Sequence, residues 1–186
     1  MTRTARTLCA LAALLLALGP ACVGNTQPRE MPLAPDAAAV VDRWLHGSCL
    51  GEEAPARTDE LRRYGAAIAP ALRRALQQGP PATEIAAVRE AAARQHAERA
   101  NFDWSGIEVT GVTRDALARM AREPVLAFVD DQVRRFVNGW KSNAIAGLAI
   151  VGTPRDRAML RRIGARTADP LAPAARAALR SLEQPR

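Results

Sequence analysis

Apolar residues recur at helical spacing along most of this chain, with polar residues between them. The clearest apolar stripe runs from Leu126 to Trp140, and charged residues take the opposite face. A spacing of three and four residues predicts amphipathic helices that bury one face. Small and apolar residues from Ala144 to Val151 continue the same period. The sequence therefore predicts an all-α protein.

Capping and helix-breaking residues divide this pattern into segments. Asp36 is expected to cap a first helix, and Thr58 or Asp59 a second, because their side chains accept hydrogen bonds from first-turn amides. Gly79-Pro80 predicts a helix end, since proline has no amide to continue the ladder. Thr83 is expected to begin the next helix.

A later division is expected at Asn138-Gly139, although one continuous bent helix is the alternative. With a break there, Ser142 or Asn143 would cap the following helix. Gly152 is expected to end that helix in the left-handed conformation. Thr153-Pro154 would then begin the next one.

The helical period is lost between residues 101 and 113, where two glycines and a loose alternation of apolar residues occur. This segment is predicted to be an ordered loop or a short β-hairpin. Trp104 within it is expected to pack back onto the helices, since aromatic side chains mainly supply buried area. Contact with a partner is the alternative role.

The pattern from Lys141 to Leu182 predicts three helices separated by two turns, with small residues where the helix backbones would meet. It resembles the HEAT-like repeat family over about one and a half repeat units of roughly forty residues. The residues that carry the resemblance are Ala144, Ala146, Leu148, Gly152, Thr153-Pro154, Ala158, Leu160, Asp169-Pro170, Ala175, Ala178 and Leu179. The resemblance implies an irregular stack of antiparallel helical hairpins and a protein-binding surface. It implies no catalytic residues.

The first 21 residues have the pattern of an export signal. Arg3 and Arg6 form a positive region, and Leu8 to Leu18 is apolar but too short to span a bilayer comfortably. Residues 22–35 are polar and rich in proline, which predicts a flexible tether. Residues 36–186 are expected to form one α-helical domain.

Cys22 lies where a bacterial lipoprotein carries its acylated cysteine. Lipidation there would anchor the chain to the cell envelope, facing the periplasm. The alternative is a soluble periplasmic or secreted protein with a Cys22–Cys49 disulfide, because exported cysteines meet an oxidising compartment.

Few residues point to chemistry. His46 and Cys49 are spaced H-x-x-C and His96 lies apart, which is not a zinc-binding pattern. His96 is expected to be a packed, hydrogen-bonded histidine. Neither a catalytic residue nor a metal or other cofactor is predicted, and an enzyme is not expected. A small exported hydrolase or metal protein is kept as a second alternative.

The 186 residues carry a formal charge of +7, and all basic residues except Lys141 are arginines. The arginines concentrate in two segments, which contain Arg57, Arg62, Arg63, Arg73 and Arg74, and Arg155, Arg157, Arg161, Arg162 and Arg166. We expect a non-catalytic module that binds an unidentified envelope protein. The candidate interaction surface comprises Trp104, Arg73, Arg74, Arg161 and Arg162. Nucleic acid is not an expected partner in an exported compartment. The alternative is an arginine-rich binder of anionic lipid, lipopolysaccharide or acidic protein.

Overall fold

The structure is a computed structural model that describes residues 33–47, 54–101 and 122–183. These residues form helices and connecting turns, without a strand among them, so the predicted all-α class is confirmed. The helices are α1 (Pro35–His46), α2 (Ala54–Tyr64), the 3₁₀ turn η1 (Gly65–Ile68), α3 (Ala69–Gln78), α4 (Ala82–Ala100), α5 (Val125–Val151), α6 (Pro154–Gly164) and α7 (Ala172–Glu183). None of the described helices is both long and apolar enough to cross a membrane.

Helix α5 is the element against which most others pack. Its 27 residues correspond to a length of about 40 Å at 1.5 Å per residue. Helices α1, α2, α3, α4 and α7 all contact it, while α6 packs against α7. Ala144, Ile145 and Leu148 on α5 are completely buried, and they join one continuous core with Leu72 of α3 and Leu160 of α6. The apolar face of the C-terminal half of α5 is therefore the centre of the core.

The predicted break at Asn138-Gly139 is wrong, because α5 continues through both residues. A glycine inside a helix costs about 1 kcal/mol relative to alanine, which is small beside the area that α5 buries on either side. Ser142 and Asn143 consequently lie inside the helix, and neither is an N-cap. The alternative of one continuous helix is the one that the structure bears out.

Two expected N-caps are also wrong. Helix α1 begins at Pro35 after Ala34, and Asp36 instead accepts a 2.9 Å hydrogen bond from the Tyr64 hydroxyl. Helix α2 begins at Ala54, so Thr58 and Asp59 lie within it. In both cases the helix starts earlier than the capping residue indicates, because a proline near each N-terminus has no amide to satisfy.

Gly79 and Gly152 were both predicted to end a helix, and each does so for a different reason. Gly79 ends α3 with φ of +78°, a conformation that other residues adopt only with strain. Gly152 ends α5 with φ of −68°, so its expected left-handed conformation is wrong. It is needed for space instead, because a Cβ there would overlap the carbonyl oxygen of Leu148. Thr153 and Pro154 then begin α6, as predicted.

The stripe predicted on the first half of α5 is correct only in part. Leu126, its first member, is 75% exposed, whereas Phe128 is buried beside Ala92 and Val129 in a small second cluster. The predicted loop or hairpin at residues 101–113 lies outside the described residues except for its first residue, and Trp104 also lies outside them.

The C-terminal end of α1 is joined to α5 by reciprocal hydrogen bonds. The Trp44 indole donates to the carbonyl oxygen of Asn143 at 2.7 Å. The Asn143 side-chain amide donates in return to the carbonyl oxygens of Leu45 and Gly47, at 2.9 and 2.7 Å. Carbonyls at a helix end have no partner within the helix, so Asn143 caps α1 from a neighbouring helix.

Close packing at this junction depends on Gly147 of α5. A Cβ at this position would lie 2.9 Å from both the Trp44 Nε1 atom and a Leu72 methyl group. Such distances are shorter than van der Waals contact, and Trp44 is held in place by its hydrogen bond to Asn143. The absent side chain therefore lets α1 and α3 meet on the same turn of α5.

We expect the same substitution to have opposite effects at two glycines of α5. Gly147→Ala should lower the free energy of unfolding by about 1–2 kcal/mol, because overpacking outweighs the gain in helix propensity. Gly139→Ala should raise it by about 0.5–1 kcal/mol, since no atom lies within 4 Å of the added Cβ. Chemical denaturation of both variants tests this. Stabilisation by Gly147→Ala would contradict the described packing.

Candidate binding site

The structure describes the four arginines of the interaction surface that was predicted from sequence. Cys22, Cys49 and Trp104 lie outside the described residues. Arg74, Arg161 and Arg162 are exposed on α3 and α6. Arg73, by contrast, is turned toward a buried carboxylate and has only 22% of its side chain exposed.

That carboxylate belongs to Asp156, near the start of α6, whose side chain is completely buried. It accepts hydrogen bonds from the Thr153 amide at 2.8 Å and from the Thr153 hydroxyl at 2.7 Å. The Arg73 Nε atom donates a third bond, also at 2.7 Å, and thereby ties α3 to the α5–α6 turn. A buried carboxylate with three donors and a cation is well compensated for its lost hydration.

Burial by itself would raise the pKa of Asp156. The hydrogen bonds from Thr153 and Arg73, together with the Arg73 charge, outweigh that effect and hold the pKa below its ordinary value of 3.8. A group with a depressed pKa stabilises the folded state at pH values above its unfolded pKa. That contribution disappears as the pH falls through the folded pKa.

We expect Asp156→Asn to lower the free energy of unfolding at pH 7 by about 2–3 kcal/mol, because it leaves the largely buried Arg73 without its counter-charge. The variant should also lose less stability than the parent when the pH is lowered from 5 to 2. Denaturation curves across this range measure both effects. Asp130→Asn is the control, since Asp130 lies 3.6 Å from Arg89 in an exposed pair and should change stability by less than about 0.5 kcal/mol.

A second polar cluster joins α1 to α4 around His46. The His46 Nδ1 atom lies 2.9 Å from the Asp42 carbonyl oxygen, and Nε2 lies 2.9 Å from Glu84 Oε2. Both partners are acceptors, so both contacts are hydrogen bonds only when both ring nitrogens carry protons, which favours the imidazolium form. The ring also contacts Trp140 edge-on, with 4.9 Å between centroids.

Asp42, His46 and Glu84 each bring one potential ligand atom within 4.8 Å of the others. Sequence reasoning considered His46 with Cys49 and missed Glu84, which approaches from a different helix. When His46 is protonated, it forms an ion pair with Glu84 that joins the C-terminal end of α1 to the first turn of α4. Both of these charges complement the dipole of their own helix, whereas Asp42 does not. His96 is packed as expected: its Nε2 atom lies 2.7 Å from the Glu123 carbonyl oxygen, and its ring contacts Phe128.

The hydrogen bond to the Asp42 carbonyl raises the pKa of His46 above its ordinary value of 6.5, and the Glu84 and Asp42 carboxylates add to this rise. A raised pKa stabilises the fold below pH 6.5, and that stability is lost as the pH increases through the folded pKa. We therefore expect the free energy of unfolding to decrease by less than about 1 kcal/mol as the pH rises from 6 to 9. Glu84→Gln should reduce this dependence in denaturation experiments. An unchanged profile in the variant would contradict the assignment.

A cleft of about 610 Å³ lies where the C-terminal end of α5 meets α2, η1, α6 and α7. Its apolar lining consists of Val151, which is buried, and Ile150 and Leu182, which are partly buried. Two arginines, Arg62 and Arg157, complete the lining together with two glycines. We call this feature the basic cleft.

The two arginines of the basic cleft are exposed. Arg62 bonds to Asp59 at 2.9 Å, but both side chains are more than half exposed, so this pair contributes little and can be displaced. Among the residues that the structure describes, no side-chain hydrogen bond or ion pair involves Arg157. The cleft can therefore bind an anionic group beside an apolar one.

Sequence reasoning placed Arg62 and Arg157 in two separate arginine-rich segments, and only the fold brings them to one cleft. The available signal was the excess of positive charge. Between residues 154 and 183 there are seven arginines and three acidic residues, whereas helix α4 has three of each.

Comparison of the chain with protein-family models, curated proteins and solved structures finds no match.

Proposed function

We propose that this protein is a non-catalytic interaction module of the cell envelope that binds a partner protein at the basic cleft. The observation that carries this proposal is the combination of two exposed arginines with three apolar side chains in one concave site. Ligand sites are usually concave and mostly apolar, with a few polar groups that fix orientation. In this cleft the apolar side chains can bind an apolar group of the partner, and the two arginines can orient it.

The packed helices that surround the cleft support the proposal. The cleft lies at the α5–α6 turn, and the buried Asp156 fixes that turn to α3 through Arg73. A site built on packed helices loses little conformational freedom when it binds, which favours affinity. The contacts of α5 and α6 with α7 also support the proposed relation to HEAT-like helical repeats, which present binding surfaces in the same manner.

Envelope location is proposed from the N-terminal sequence pattern. An export signal ending at Ala21 would leave Cys22 as the first mature residue, and its lipidation would tether the domain to a membrane. A Cys22–Cys49 disulfide is the competing arrangement. The mass of the mature protein distinguishes these two, because acyl chains add mass, whereas oxidation of two thiols to a disulfide removes two hydrogen atoms.

Binding to an anionic envelope surface is the second candidate. It is favoured by exposed arginines of α6 that do not line the cleft, such as Arg161 and Arg162, and by the excess of arginine between residues 154 and 183. Such binding would depend on total charge and would fade as salt screens it. It would not require the apolar lining of the basic cleft.

Matched charge reversals separate the two candidates. Arg157→Glu should reduce affinity capture of a partner protein from envelope extracts at least tenfold, while Arg161→Glu, one turn along the same helix, should have less than a twofold effect. Arg62→Glu and Arg63→Glu form a second matched pair on α2. Quantitative mass spectrometry measures the captured protein and, in the same run, the mass of the mature N-terminus.

Equal losses in all four variants would favour the anionic-surface candidate. Capture that no variant changes would reject the basic cleft as the contact site.

A further inference from the structure

We infer that the basic cleft binds an acidic peptide segment of its partner, in which a large apolar side chain lies beside carboxylates. This inference rests on the proposed function and specifies the ligand of the same site. It follows from the groups that line the cleft and from the position of the cleft on α5.

The two arginines of the basic cleft are complementary in charge to carboxylates. Guanidinium groups donate parallel hydrogen bonds that match the two oxygens of a carboxylate. Arg157 is exposed, and the exposed Asp59 is the one ion-pair partner of Arg62 within the part of the chain that the structure describes. Asp156, the nearest acid along the chain to Arg157, is buried and bonded to Thr153 and Arg73. The described residues that line the cleft therefore include two cations and no carboxylate, and a ligand has to displace Asp59 from Arg62 alone.

The apolar lining of the basic cleft favours a ligand with a large apolar side chain. Ile150, Val151 and Leu182 are recessed in a cleft of about 610 Å³ instead of standing on an exposed face. This volume is within the range of about 300–1,000 Å³ that is typical of ligand pockets. An apolar side chain that projects from a peptide can enter such a recess, and it would replace water there.

The position of the cleft argues against a membrane as the occupant. A protein surface that inserts into a bilayer needs exposed large apolar side chains. Among the described residues these are Val125 and Leu126, at the opposite end of α5 from Ile150. That separation is about 36 Å along the helix at 1.5 Å per residue. The basic cleft therefore lacks the exposed apolar groups that would insert beside its arginines.

The test measures fluorescence anisotropy of a labelled peptide of about twelve residues, with leucines at i, i+4 spacing among glutamates. The purified full chain should bind this peptide, and the matched peptide with glutamine for glutamate should bind at least tenfold more weakly. Arg157→Ala and Arg62→Ala should each weaken binding about tenfold, as expected for loss of charge-assisted hydrogen bonds. Arg161→Ala and Arg63→Ala should change it less than twofold, and all four variants should retain the helical circular dichroism of the parent.

Absence of binding to the glutamate peptide, equal binding of the glutamine peptide, or equal effects of Arg157→Ala and Arg161→Ala would overturn the inference. Phosphatidylglycerol vesicles that bind in an Arg157-dependent manner in place of the peptide would assign the cleft to lipid. If the peptide does not bind but Arg157→Glu still abolishes capture of the partner protein, the acidic-peptide inference fails and the proposed function stands. If that capture is also unaffected, both fail.

Discussion

The fold depends on how closely two helices can approach the C-terminal part of a third. Trp44 of α1 and Leu72 of α3 converge on Gly147 of α5, where any side chain would collide with both. The indole is fixed at the same point by its hydrogen bond to Asn143, whose own amide returns two bonds to the end of α1. Steric fit and hydrogen bonding therefore specify one arrangement, which apolar burial alone would leave loosely defined.

From this junction the structure extends toward the basic cleft through the second half of α5. Leu148 is buried in the core, while Ile150 and Val151 on the following turn line the cleft. The Asp156 carboxylate then fixes the direction of α6, and with it the position of Arg157 relative to the end of α5. The proposed binding site is thus a consequence of core packing, because its walls are the ends of helices whose other parts fill the core.

Sequence reasoning predicted the helical class because apolar periodicity is a local property that each segment displays by itself. It predicted the end of α3 at Gly79 and the start of α6 at Thr153 for the same reason. It failed at Asn138-Gly139, where local propensity favours a break but packing on both sides maintains the helix. The cleft and the His46–Glu84 contact depend on residues far apart in the chain, and no pattern within one segment indicates which arginines or carboxylates will meet.

The ring contact between His46 and Trp140 has a consequence for light emission. An imidazolium close to an excited indole withdraws an electron from it more readily than a neutral imidazole does, and emission is quenched. Because the centroids of the two rings are 4.9 Å apart, we expect the emission of Trp140 to change with the charge of His46. Tryptophan fluorescence would then follow the contact between His46 and Glu84, which joins α1 to α4.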